Sequence, residues 1–214
     1  MSQALVSVAK QWFYWFTVWV LSALVKVLFR ARFAGRENIP VQGAIVVARH
    51  TSYWDVPLTA VALQWHRRVT FVARRTLQQE HRLLRPFIRA YAVSVDREHF
   101  HASDFKNVLR AIRENHLVAI FPEGTIQQTG QVYPGVIRFA ELTGRQYLPV
   151  RFLARRGQYP PPTFLGLPAL TVVVGRPFTL KDLEFDLRGD EVKEERVQRL
   201  AELLMRRVDT AEPA

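Results

Sequence analysis

The residues in this chain best suited to proton transfer are His50 and Asp55, five positions apart in Arg49-His50-Thr51-Ser52-Tyr53-Trp54-Asp55-Val56-Pro57. A neutral imidazole works as a base through one nitrogen while the other donates, and a carboxylate held at the donating nitrogen selects that tautomer. Such a pair can take a proton from a hydroxyl. On a straight helix, residues five apart point about 140° away from each other, so the pair can meet only where the chain turns. The flanking sequence supplies a turn. Ala44-Ile-Val-Val-Ala48 reads as a buried strand and Pro57 suits the first turn of a helix. Taken alone, the same residues also describe a turn histidine followed by an aspartate that caps a helix.

A second cluster, Val118-Ala-Ile-Phe121-Pro122-Glu123-Gly124-Thr125, is another apolar strand running into a Pro/Gly turn. Glu123 stands at the same sheet edge as His50 if the two strands are near neighbours; the alternative is a plain turn with a solvated glutamate.

The elements that must position these clusters alternate between short β-branched runs and helical periodicity. Strands are predicted at 32–33, 44–48, 69–73, 92–95, 117–121, 147–152 and 169–174, with apolar runs that imply burial on both faces. Ser103 opens a helix in which Phe105, Val108, Leu109 and Ile112 form one stripe. A helix is expected at 135–142 and an amphipathic one at 191–208, with Gln158 to Pro162 a loop. The expected class is α/β: a mostly parallel central sheet flanked by helices, with sites at the carboxyl ends of the strands.

The first thirty residues differ from the rest. Lys10, Lys26 and Arg30 are their only charges, and Trp12 to Val25 is free of charge and of proline. No small-residue cleavage site follows, which argues against a removed signal. The apolar run is short of the roughly 20 residues a spanning helix uses, and Trp12, Phe13, Tyr14, Trp15, Phe16 and Trp19 crowd its first half. Rings in that density suit headgroup depth, so an aromatic membrane-interface helix is expected. The domain reading is a membrane-anchoring segment, 1–30, and one catalytic domain, 31–214.

The chain carries 30 basic against 19 acidic residues, formally +11, and Arg outnumbers Lys 25 to 5. This field attracts phosphate groups, whether of lipid or of nucleic acid. The absence of Cys excludes disulfides, thiolate metal sites and a cysteine nucleophile, and the six His show no ligand spacing. Eight Arg fall between Arg67 and Arg97, and the 81–89 segment, with Arg82, Arg85 and Arg89, reads as a basic amphipathic helix. It suits anionic headgroups or the acidic surface of a partner, or it is simply a solvated face.

Taken together, His50-x-x-x-x-Asp55 and Phe121-Pro122-Glu123-Gly124-Thr125 resemble the signature of the glycerolipid acyltransferases, in particular the bacterial 1-acylglycerol-3-phosphate (lysophosphatidate) acyltransferases. Phe71-Val-Ala-Arg74-Arg75 with Val93-Ser-Val95-Asp96-Arg97 resembles the family's second block, and Leu148-Pro149-Val150 its fourth. The resemblance runs from about Gly35 to Val174.

It implies acyl transfer from a thioester, on coenzyme A or acyl carrier protein as co-substrate and with no other cofactor and no metal, to the hydroxyl of a lyso-lipid in phospholipid biosynthesis. His50 would be the general base and Asp55 its orienting partner. Arg97 would bind the acceptor's phosphate. Glu123 would fix the loop or contact the acceptor's glycerol hydroxyls, and backbone N–H groups near Gly124 and Thr125 would face the oxyanion.

Where the family continues Gly-Thr with Arg, Ile126 and Gln127 stand here, and Tyr133-Pro134 replace a common basic residue before Gly135. Arg74, Arg75 and Arg138 are the substitutes, or the acceptor is another lyso-lipid such as a lyso-ornithine lipid or lysophospholipid. The expected location is the cytoplasmic face of the cell membrane, peripheral or monotopic. A non-catalytic lipid-binding relative would keep the helix but not the base. A nucleic-acid binder is disfavoured because no recognised binding motif is present and the aromatic helix would go unexplained.

Overall fold

Seven apolar runs assemble into one sheet in the computed structural model, which describes residues 3–63, 68–77, 85–96, 99–124, 132–161, 167–185, 187 and 193–213. The strands are β1 (Arg32–Ala34), β2 (Ala44–Ala48), β3 (Val69–Arg74), β4 (Ala92–Val95), β5 (Leu117–Ile120), β6 (Gln146–Arg156) and β7 (Ala169–Val174), ordered β1-β7-β6-β2-β5-β3-β4. Every pairing is parallel except β6 with β7. β2 is central, and all five of its residues are buried, as a strand covered on both faces requires.

The helices are α1 (Gln3–Phe29), α2 (Asp55–Leu63), α3 (Arg85–Tyr91), α4 (Ala102–Glu114), α5 (Gly135–Thr143), α6 (Leu180–Glu184) and α7 (Lys193–Asp209). Alternation along β2 sends Val46 and Ala48 to a cluster shared with α1 and α2. Ile45 and Val47 go to a second cluster with α4, α5 and α7. Gly43 makes the start of β2 possible. Its φ is +85°, and an added Cβ would lie 2.1 Å from the His116 carbonyl oxygen, which accepts the Ala44 N–H at 2.9 Å.

Several elements differ from expectation in extent. α4 begins at Ala102 rather than Ser103, because the Asp104 carboxylate reaches back to accept the His101 N–H at 3.3 Å. β6 runs on to Arg156 because β7 pairs with it antiparallel beyond the point where β2 ends. The basic helix is described as α3 over Arg85–Tyr91; Arg85 and Arg89 are exposed and Ile88 is buried, while 81–84, including Arg82, lie outside the described residues.

α1 has two apolar faces. Val18, Ser22, Val25 and Phe29 are buried at helical spacing, and Phe29 meets Trp54 edge-on at 5.0 Å between ring centroids. Val25 and Phe29 belong to the same core cluster as β2. The opposite face leaves Trp12, Phe16, Trp19 and Val27 exposed, with Trp15 and Leu24 beside them. Among the described residues, no helix is long and apolar enough to cross a membrane.

Candidate active site

His50 follows β2 by two residues, and the chain turns there before α2 begins at Asp55. Asp55 organises the turn. Its side chain is fully buried, and Oδ2 accepts the N–H groups of Thr51 (2.6 Å) and Ser52 (2.8 Å). The same oxygen stands 3.2 Å from His50 Nδ1. The carboxylate therefore points back into the loop that precedes it and does not cap the helix ahead, and residues five apart in sequence come face to face.

A carboxylate oxygen at Nδ1 is met best by an N–H, which leaves Nε2 with the lone pair. The ring is stacked on Phe121 at 4.6 Å between centroids, and the His50 side chain is 18% exposed, so it is packed on one side and accessible on another. The other Asp55 oxygen, Oδ1, accepts the hydroxyl of Tyr159. Burial first, then the Asp55 charge, raises the Tyr159 phenol above its ordinary pKa, so it remains a donor.

β2 and β5 are direct neighbours, which puts the Phe121 turn beside His50. Glu123 is buried and both its oxygens meet protein donors. Oε2 accepts the His50 backbone N–H at 3.0 Å, and Oε1 accepts Arg49 Nη1. Of the two roles the family resemblance allows Glu123, loop fixing is the one this geometry provides.

Arg49 continues the chain of contacts. Its Nε and Nη2 donate to Asp209 Oδ1 (2.7 Å) and Oδ2 (2.6 Å) at the end of α7. The bond to Asp209, opposed by partial burial and reinforced by the charges of Asp209 and Glu123, raises the guanidinium pKa above its ordinary value.

The structure corrects one expectation and redirects another. Gly124 donates its N–H to the Phe121 carbonyl at 3.0 Å, closing a β-turn with Pro at the second position and Gly at the fourth. That N–H is engaged inside the turn and does not face outward to an oxyanion. Arg75 does not gather with His50: its Nη2 donates to the buried Asp104 at 2.8 Å, holding α4 against the end of β3. Arg74 is exposed at the carboxyl end of β3, two strands from β2, and Arg138 is exposed on α5. Arg97, Thr125, Ile126 and Gln127 lie outside the described residues.

Three participants escaped the sequence reading. Arg49 was next to the candidate base, but nothing in its spacing named a partner 160 positions away; Tyr159 and Asp209 sit in a loop and at a helix end, where no periodicity marks them.

Fold and site together define an α/β protein with a histidine–carboxylate pair at the carboxyl edge of a mostly parallel sheet. Residues 30–152, more than half of the chain, match the family model described as acyltransferase, and the chain belongs to the acyltransferase family. The matched segment holds both sequence clusters. Among solved structures, the chain is similar to the crystal structure of the 1-acyl-sn-glycerophosphate (LPA) acyltransferase PlsC from Thermotoga maritima. The TM-score is 0.61 at 22% identity, over 92% of this chain and 80% of that one. At that identity the likeness is one of fold. A comparison with curated protein sequences finds no match.

Proposed function

We propose that the protein transfers a fatty acyl chain from a coenzyme A or acyl carrier protein thioester to the free hydroxyl of a lyso-lipid, with lysophosphatidate to phosphatidate as the leading reaction. The observation that supports it is the His50–Asp55 pair within the family-matched segment, its Nδ1 facing a buried carboxylate. His50 Nε2 takes the acceptor hydroxyl's proton as the oxygen attacks the thioester carbon. The tetrahedral intermediate then expels the thiolate, which leaves as thiol after receiving that proton. Asp55 stabilises the imidazolium formed in between, and no acyl-enzyme is needed.

Arg97 and Arg74 are the proposed contacts for the acceptor's phosphate, and backbone N–H groups around Thr125 for the oxyanion. Lysophosphatidate leads because the carboxyl edge of the sheet carries basic residues and the family signature includes the second-block Arg. The decisive experiment is product analysis by mass spectrometry with a panel of lyso-lipids and both thioester donors. Phosphatidate should be the main product. A product confined to an acylated ornithine lipid or lysophospholipid would move the acceptor assignment, and no ester product from any pair would sink the reaction.

The protein is proposed to work from the cytoplasmic face of the membrane, with the outer face of α1 at headgroup depth. Trp12, Phe16 and Trp19 offer rings to the interface, and Arg85 and Arg89 of α3 offer charge to anionic lipid. Because Val25 and Phe29 are core residues, removing the whole helix would also damage the fold. The clean variant is Trp12→Ser/Phe16→Ser/Trp19→Ser. It should lose most of its sedimentation with vesicles containing anionic lipid while its melting temperature stays within a few degrees of the parent. Undiminished sedimentation would refute the placement of this face.

A further inference from the structure

Tyr159 lies outside the segment that defines the family, yet it reaches the buried carboxylate at the centre of the site. β6 outruns β2, and at Gly157, where φ is +84°, the strand gives way to the Tyr159-Pro160-Pro161 loop. This overhang returns the Tyr159 hydroxyl to Asp55 Oδ1, with the ring packed on Phe152 at 5.6 Å between centroids.

The need for such a partner follows from the torsion it restrains. The carboxylate plane of an aspartate turns about an sp³–sp² bond whose preferences are broad and roughly two-fold. Thr51 and Ser52 hold Oδ2 through their N–H groups, but one anchored oxygen still lets the plane swing about it. A second donor on Oδ1 fixes the plane, and with it the direction of the lone pair that His50 Nδ1 meets. In a fully buried carboxylate that donor also replaces water, whose loss would otherwise leave a charged oxygen unsatisfied.

We propose that Tyr159 is a positioning residue of the acyl-transfer site: its hydroxyl orients Asp55, and through Asp55 it holds the His50 ring in one tautomer and one orientation. The kinetic part of this inference rests on His50 acting as the base; the geometric part does not. A tyrosine in a proline-rich loop beyond the family segment thus completes a His50–Asp55–Tyr159 relay of orientation, in which only His50 touches the reacting atoms.

The test is Tyr159→Phe, which keeps the ring against Phe152 and removes only the hydroxyl. Initial rates with lysophosphatidate and acyl thioester should show kcat reduced about tenfold, as for a lost hydrogen bond to a charged group, with KM within twofold. Nitrogen-15 spectra of the histidine rings, with His50 identified by its absence in His50→Ala, supply a readout independent of turnover. In the parent, the two His50 ring nitrogens should be well separated in shift, as in a single tautomer. In Tyr159→Phe they should move toward each other as tautomers mix.

Unchanged ring shifts would overturn the proposal, whether kcat is native or falls only in step with the folded fraction. If His50→Ala retains full activity, the base assignment fails; the ring shifts of Tyr159→Phe still decide whether Tyr159 orients the pair.

Discussion

On the proposed mechanism, His50→Ala is expected to reduce acyl transfer by about 10³-fold or more, because one side chain is assigned both the removal of the hydroxyl proton and its delivery to the leaving thiol. The substitution is clean for a structural reason. What ties residue 50 to the fold is its backbone N–H on Glu123 Oε2, and that bond survives any side chain. Thr51 and Ser52 keep their bonds to Asp55 as well. The variant loses the ring stacked on Phe121 and leaves Asp55 Oδ2 with two donors instead of three. Some stability is lost, but the turn has no cause to reorganise. Turnover of lysophosphatidate at saturating donor, beside a melting curve, reads the two effects separately. A folded His50→Ala enzyme within tenfold of parental kcat would remove His50 from the mechanism.

The second large effect is expected at Arg49, where the two ion-pair partners differ in burial. The Glu123 side chain is 8% exposed, whereas that of Asp209 is 45% exposed. Arg49→Met keeps the stem but strands a buried carboxylate, and the side chain it removes is itself 38% exposed. Breaking a buried pair costs roughly 3–5 kcal/mol. Solvent access to Arg49 reduces the expectation to about 2 kcal/mol, a fall in melting temperature of about 4–8 °C for a chain of this size.

Asp209→Asn removes only the exposed partner and should cost under about 1 kcal/mol. Activity should follow the same order, since Glu123 carries the His50 backbone and Asp209 reaches it only through Arg49. Adding Glu123→Gln to Arg49→Met should recover part of the lost stability, because the stranded charge is then gone. Equal losses in Arg49→Met and Asp209→Asn would show instead that the tie to α7 carries the effect. Differential scanning calorimetry of the four proteins settles the order.

Much of this molecule was legible before any coordinates. All seven strands fall where apolar runs were bounded by turn residues, and the parallel class follows from their alternation with amphipathic helices such as α4 and α7. His50 and Glu123 were each legible as following a buried strand closely, but that they share one edge depended on those strands being neighbours, which the β2–β5 pairing supplies. Local chemistry sufficed because periodicity, proline and glycine act within a few residues of where they stand.

Whether His50 and Asp55 would meet was a different kind of question. Five residues of spacing allow a capping aspartate or a folded-back one, and the Oδ2 bonds to Thr51 and Ser52 select the second. The extent of α1's burial was likewise hidden: Val25 and Phe29 look no different in sequence from Leu24 and Val27, yet the first two are core and the others surface.

Taken alone, then, the sequence determined the α/β class, the order of its elements and the placing of His50 and Glu123 each just past an apolar strand, because hydrophobic pattern and turn chemistry are written locally. Tertiary structure alone decided what locks them. Arg49 to Asp209, Glu123 to the His50 N–H and Tyr159 to Asp55 join residues 73 to 160 positions apart. A contact that distant depends on where the sheet order β6-β2-β5 and the overhang of β6 bring the chain, and no local preference records it.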